Sequence, residues 1–156
     1  MSSPYKTFSY HTFGCKVNFA DSSYISKQLI DQGMSQVSID SRADFCFINT
    51  CSVTQNADKK AKKLIVDLNK KFPETEIVVL GCYAQLKPDE ISKIKGVKKV
   101  VGTFDKFNIT EIISDERNDK KINFNIDEVQ KFNITYSGNE RTRAFIKIQD
   151  GCNYNC

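Results

Sequence analysis

Apolar residues along the chain come in short runs of strand length, separated by stretches in which they recur at helical spacing. YKTFSYHTF (5–13) is rich in β-branched and aromatic residues and reads as a strand closed by Gly14. Over 21–32, Ile25, Leu29 and Ile30 recur with helical period and Gly33 follows as a stop signal. ADFCFINT (43–50) is a continuous apolar run, the pattern of a strand buried on both faces of a parallel sheet. A helix is predicted next over 55–72, with Ala57, Ala61, Leu64, Ile65, Leu68 and Phe72 in one stripe and Pro73 ending it. TEIVVLG (75–81) is a third buried strand. A short helix over 88–95, a small strand over 98–102 and a helix over 105–113 complete the pattern.

Strands alternating with helices at this rhythm predict an α/β domain, a parallel β-sheet flanked by helices of Rossmann or flavodoxin-like type. That unit is expected to occupy 1–114. From 115 to 142 the chain turns polar and rich in asparagine and charge, and reads as a linker with a loose β-hairpin inside it. RAFIKIQ (143–149) then begins a strand with nothing after it to pack against, so the sequence looks cut as a second domain starts, with 143–156 its opening. The hydrophobic share of 40% and charged share of 27% are ordinary for a globular chain. No signal-peptide core and no membrane-length apolar run is present, so a cytoplasmic protein without a membrane partner is expected. In a reducing compartment its six cysteines point to metal or catalytic roles rather than disulfides. A net charge of +4 is compatible with an RNA partner.

Cys15, Cys51 and Cys82 each follow the end of a predicted strand. In an open parallel sheet the carboxyl ends of all strands share one edge, where ligands bind, so three thiols distant in sequence are expected on one rim. Each alone is also explained as a small residue in a tight turn. Zinc favours close pairs of ligands, absent here, and its only candidate fourth ligand is His11. A catalytic thiol lacks an obvious base apart from His11. An iron–sulfur cube held by three thiolates, with one iron open, fits the set better. Cys46, between Phe45 and Phe47, reads as a small core residue. The terminal GCNYNC opens a C-x3-C spacing, which alone is equally a chance or redox pair.

Taken in order, TFGCKVNFADS, INTCSVTQNADKKAKKLI, VVLGCYAQ and RTRAFIKIQDGCNYNC resemble the radical S-adenosylmethionine methylthiotransferases that modify tRNA or a ribosomal protein. GCKVN and NTCSVTQNAD look most like the branch acting on N6-threonylcarbamoyladenosine beside the tRNA anticodon; the isopentenyladenosine branch more usually reads GCQMN and NTCSVRE. The resemblance implies an auxiliary [4Fe–4S] cluster on Cys15, Cys51 and Cys82. It implies a second, radical [4Fe–4S] cluster whose first two ligands are Cys152 and Cys156 and which chelates S-adenosylmethionine. It makes 143–156 the first strand of a truncated radical barrel, and it implies a tRNA anticodon stem-loop and an electron donor such as flavodoxin or ferredoxin as partners. With most of the barrel absent, the chain itself is expected to be inactive.

Lys59, Lys60, Lys62, Lys63, Lys70 and Lys71, and a second group of Lys93, Lys95, Lys98 and Lys99, read as solvated faces or as phosphate contacts. Asn18, Asn49 and Asn56 are expected to cap helices or to reach the cluster sulfurs. Arg141 and Arg143 serve the linker, the cofactor or RNA.

Overall fold

The computed structural model describes residues 6–51, 55–103, 105–114, 134–136 and 144–148, with the backbone alone at 121–122. In chain order the elements are β1 (Thr7–Thr12), α1 (Lys16–Asp31), β2 (Ser35–Gln36), β3 (Phe45–Thr50), α2 (Gln55–Lys71), β4 (Glu76–Gly81), α3 (Cys82–Leu86) and α4 (Pro88–Ser92). They continue with β5 (Val97–Val101), a 3-10 turn (Asp105–Asn108), α5 (Ile109–Ser114), β6 (Lys121–Ile122), β7 (Thr135–Tyr136) and β8 (Ile146–Lys147). Six strands form one parallel sheet in the order β2-β1-β3-β4-β5-β6. This is the flavodoxin-like order, in which the chain reverses direction across the sheet between β1 and β3.

The period of two in the buried strands divides the core. Phe45, Phe47, Val78 and Leu80 face one layer with Ile25 and Leu29 of α1 and Ile109 and Ile112 of α5. Cys46, Ile48, Ile77 and Val79 face the other, against Ala61, Ile65 and Leu68 of α2 and the α3–α4 segment. Both faces of β3 are buried, which is why its run of six residues shows no polar alternation. Cys46 is 1% exposed and packs as an apolar core residue.

Helix α1 begins at Lys16, five residues before the expected start. Its buried stripe runs Asn18, Asp21, Ser22, Ile25, Leu29, so the first half of the stripe is polar and leaves no hydrophobic signal. Ile30, expected in that stripe, is half-exposed. The stop at Gly33 is a Schellman closure: Gly33 N–H bonds to Ile30 O and Met34 N–H to Leu29 O. β2 and α3, two and five residues long, are too short to carry a period.

Arg141, Arg143, Cys152 and Cys156 lie outside the described residues, as does most of 115–142. What is described of that stretch is not free of the domain. β6 adds to the sheet beside β5, and β7 pairs antiparallel with β8, Thr135 opposite Lys147 and Tyr136 opposite Ile146. The strand expected over 143–149 has the preceding β7 as its neighbour, and both pack on α1.

Candidate functional site

Three βα turns on the carboxyl edge carry Cys15, Cys51 and Cys82, and the strands that deliver them, β1, β3 and β4, are adjacent in the sheet. Pairing of Thr12 with Asn49 and of Thr50 with Gly81 brings the three strands to this edge almost level. Cys15 and Cys51 therefore flank the point where the strand order reverses, the usual crevice for a ligand in such a sheet. The expected convergence on one rim is what the fold produces.

Local conformation explains each position. Phe13 N–H bonds to Asn49 O at 2.8 Å, prolonging the β1–β3 ladder by one step. Gly14 then turns at φ +101°, where a Cβ would lie 2.3 Å from Cys51 Cβ and 2.8 Å from its sulfur. Only glycine lets the two turns close on each other this tightly. Cys15 follows as the N-cap of α1, its carbonyl accepting the first helical bond from Phe19, and its thiol makes no capping bond. Cys82 is the first residue of α3. Cys15 and Cys82 are exposed and Cys51 is buried.

Cys82 is open on one side, yet enough protein surrounds its sulfur that burial is the largest influence on it and pushes the thiol up. The Lys106 ammonium pulls it down, while Cys51 and Cys15 push it further up. A negative charge on Cys82 is thus disfavoured by its two neighbours, a conflict that a bound cationic centre would resolve. The donor set is all sulfur. A single zinc ion with Zn–S bonds of about 2.3 Å would need its ligands within about 4 Å of one another. No such trio of His, Cys, Asp or Glu stands among the described residues. His11, the only candidate for a fourth zinc ligand, packs edge-on against Phe13 at 4.5 Å, and burial lowers its pKa. Three thiols and no nitrogen or oxygen donor make a soft donor set, the kind that iron–sulfur clusters take.

Behind the thiols lies a polar latch that sequence reasoning missed. Asn18 Nδ2 donates to Phe13 O at 2.9 Å and to Thr50 O at 3.1 Å, tying together the residues just before Gly14 and Cys51. Asn49 Nδ2 donates to Asn18 O and to Ser22 Oγ, both at 3.0 Å, and Ser22 Oγ in turn receives Thr12 Oγ1 at 2.7 Å. Thr50 Oγ1 donates to Leu80 O at 2.7 Å, linking the second turn to the third strand. Asn18 and Asn49 were expected as helix caps or sulfur contacts; they hold backbone carbonyls across strands, and Asn56 is exposed on α2. The partners come from 31 and 32 residues away, so no local motif announces them.

Beside Cys15 opens a cavity of about 590 Å³ lined by Gly14, Cys15, Lys16, Val17, Phe19 and Phe145, of a size that takes a small organic group. Lys16 Nζ sits 5.4 Å from the centre of the Phe145 ring. The lysines divide. Lys59, Lys60, Lys63 and Lys70 are exposed, Lys62 pairs with Glu90, and Lys71 lies 3.4 Å from Asp40. Lys99 does not belong to a solvated group: it is 6% exposed and donates to Ile112 O. Among the described residues no helix is long and apolar enough to cross a membrane.

Comparison with known proteins accords with this geometry. A threonylcarbamoyladenosine tRNA methylthiotransferase MtaB of Aquifex aeolicus is 35% identical over 94% of this chain and 37% of its own length. The one of Bacillus subtilis is 36% identical over 96% of the chain and 34% of its own. A tRNA-2-methylthio-N(6)-dimethylallyladenosine synthase of Ehrlichia ruminantium is 36% identical over 93% of the chain and 35% of its own. The chain spans about a third of the length of these relatives. A family model described as "Uncharacterized protein family UPF0004" matches residues 7–102, the span from β1 to the end of β5 that carries all three rim cysteines. With that match covering most of its length, the chain belongs to the UPF0004 family, the N-terminal domain of the methylthiotransferases.

Proposed function

We propose that this chain is the N-terminal portion of a radical S-adenosylmethionine tRNA methylthiotransferase that places a methylthio group at C2 of N6-threonylcarbamoyladenosine beside the anticodon. The observation that carries it is the meeting of Cys15, Cys51 and Cys82 at the ends of three adjacent strands. In this proposal residues 1–114 are the domain of the auxiliary [4Fe–4S] cluster, 115–142 a linker, and 143–156 the start of the radical domain. Cys152 and Cys156 supply two ligands of the second cluster. When bound, the two clusters and S-adenosylmethionine supply the radical, sulfur and methyl chemistry.

The protein's own part is positional. Gly14 lets the Cys15 turn lie against Cys51, and Asn18 and Asn49 lock the two turns so that the thiols are presented without rearrangement. The complete reaction belongs to the longer protein, working in the cytoplasm on a tRNA anticodon stem-loop with a flavodoxin- or ferredoxin-type donor, and the 156-residue chain alone is expected to be inactive. A substrate of the dimethylallyladenosine type is the second reading, favoured by the relative of that name at 36% identity.

Anaerobic reconstitution of the chain with iron and sulfide tests the site. Iron and sulfide in equal amounts with visible absorption are expected, and each of Cys15→Ala, Cys51→Ala and Cys82→Ala should lose most of both. Stoichiometric zinc with no iron uptake, or iron content unchanged in all three variants, overturns it. Nucleoside analysis of tRNA from a deletion strain separates the substrates: the methylthio form of threonylcarbamoyladenosine should vanish while that of isopentenyladenosine persists.

A further inference from the structure

Asp21 is fully buried in the polar half of the α1 stripe, and its two carboxylate oxygens serve different parts of the chain. Oδ2 accepts Lys106 Nζ at 2.5 Å, from the 3-10 turn that follows β5. Oδ1 accepts Thr135 Oγ1 at 2.7 Å and Lys147 Nζ at 3.4 Å, from β7 and β8. All three partners are buried, Lys106 and Lys147 at 3% exposure and Thr135 at 0%. Both ammonium groups lie close to the Phe107 ring, at 5.2 and 5.1 Å from its centre. Lys27 Nζ adds a bond from α1 to Tyr136 Oη at 3.3 Å.

Well-packed apolar residues stabilise a fold as well as buried ions do, so stability alone does not explain such a cluster; fixing one register is what buried ion pairs do best. Here the register is that of the β7–β8 hairpin on α1. Asp21 stands six residues along the helix from Cys15, a rise of about 9 Å. Lys147 stands five residues before Cys152, a tether of at most about 18 Å. Phe145, two residues before Lys147, forms a wall of the cavity beside Cys15.

We propose that Asp21 is a positioning residue: through Lys147 and Thr135 it sets the placement of the strand leading to Cys152 and Cys156 relative to the Cys15 rim, and with it the width of the cavity between Cys15 and Phe145. This rests on the proposed function, in which both cysteine sets serve one reaction. Such a latch would set how the chain leading to Cys152 faces the Cys15 rim without itself touching either set of cysteines, so it would affect product formation and leave cluster loading alone.

The test uses the full-length protein loaded with both clusters, as wild type, Lys147→Met and Thr135→Val. Each variant removes a bond to Oδ1 and leaves Asp21 paired with Lys106, so the buried carboxylate keeps a cation beside it. Amide hydrogen exchange at 135–136 and 146–147 should quicken at least about tenfold while β1, β3 and β4 stay protected. Methylthio product per S-adenosylmethionine cleaved should fall by up to about 10²-fold in Lys147→Met, with iron content and cleavage rate unchanged. General unfolding would instead lower iron, cleavage and product together. An active wild type with an unchanged product ratio in both variants, or unchanged exchange in the hairpin, overturns the latch and leaves the function standing. A wild type that makes no methylthio product overturns the function and the latch's role with it.

Discussion

Replacing Gly14 by alanine puts the tightest contact of the cysteine rim to a quantitative test. Two effects add. A side chain at φ +101° is strained by about 1–2 kcal/mol. The new Cβ also falls 2.3 Å from Cys51 Cβ, an atom fixed to the backbone of a buried residue that cannot swing aside, so the turn after β3 must shift at about 1–3 kcal/mol. The sum centres on about 3.5 kcal/mol, equivalent to a drop in Tm of about 7–14 °C for a chain of this size. Gly33→Ala is the matched control: its φ is +85°, but nothing lies within 4 Å of the added Cβ. It should lose only the conformational part, about 1–2 kcal/mol, and both variants share the same gain from a stiffer unfolded chain. Urea unfolding followed by far-ultraviolet circular dichroism measures both. Gly14→Ala should be the weaker by about 1–3 kcal/mol and should load less iron even where fully folded. Equal losses in the two variants would refute the close approach of the Cys15 and Cys51 turns.

Asn18→Ala removes the donor to Phe13 O and Thr50 O and should lower the unfolding free energy by about 2–4 kcal/mol, read from the urea midpoint. Glu74→Gln breaks a pair with Arg42 that is exposed on both sides, at 72% and 71%, and should change stability by less than about 1 kcal/mol. Brief alkylation of the metal-free native chain, mapped by mass spectrometry, should label Cys15 and Cys82 while sparing Cys46 and Cys51. Burial holds the Cys46 thiol above its usual range against a bond from Ser9, and burial raises the Tyr10 phenol as well. The unfolded chain therefore gives up these protons first. Stability should be intact below the free-thiol value of about 8.5 and fall as pH rises past it, so a urea midpoint that holds steady from about pH 8 to about pH 10 contradicts this.

The sheet was legible because burial on both faces writes itself as unbroken apolar runs, at 45–48 and 77–80, and because Pro73 and Gly33 mark helix ends by backbone geometry alone. The rim followed from topology: a cysteine after each of three parallel strands must come to the same edge. What stayed hidden is polar. The first turns of α1 bury Asn18, Asp21 and Ser22, whose partners arrive from β3, the 3-10 turn and the β7–β8 hairpin. No spacing rule encodes a bond to a carbonyl 32 residues away. Lys99, Lys106 and Lys147 look in sequence like any surface lysine; only the fold shows that their stems pack inward and their ammonium groups meet an oxygen.

The topology also fixes a chronology. Cys15, Cys51 and Cys82 are 36 and 31 residues apart and become neighbours only after β1, β3 and β4 have aligned, contacts that form late in any parallel sheet. The two apolar layers that drive this alignment draw almost nothing from the three rim thiols, so on the proposed function loading of the rim would start from a chain already folded, unlike a zinc finger that waits for its metal. Iron starvation should then leave intact protein with the proposed site empty, its exposed Cys15 and Cys82 sulfurs open to oxygen until loading.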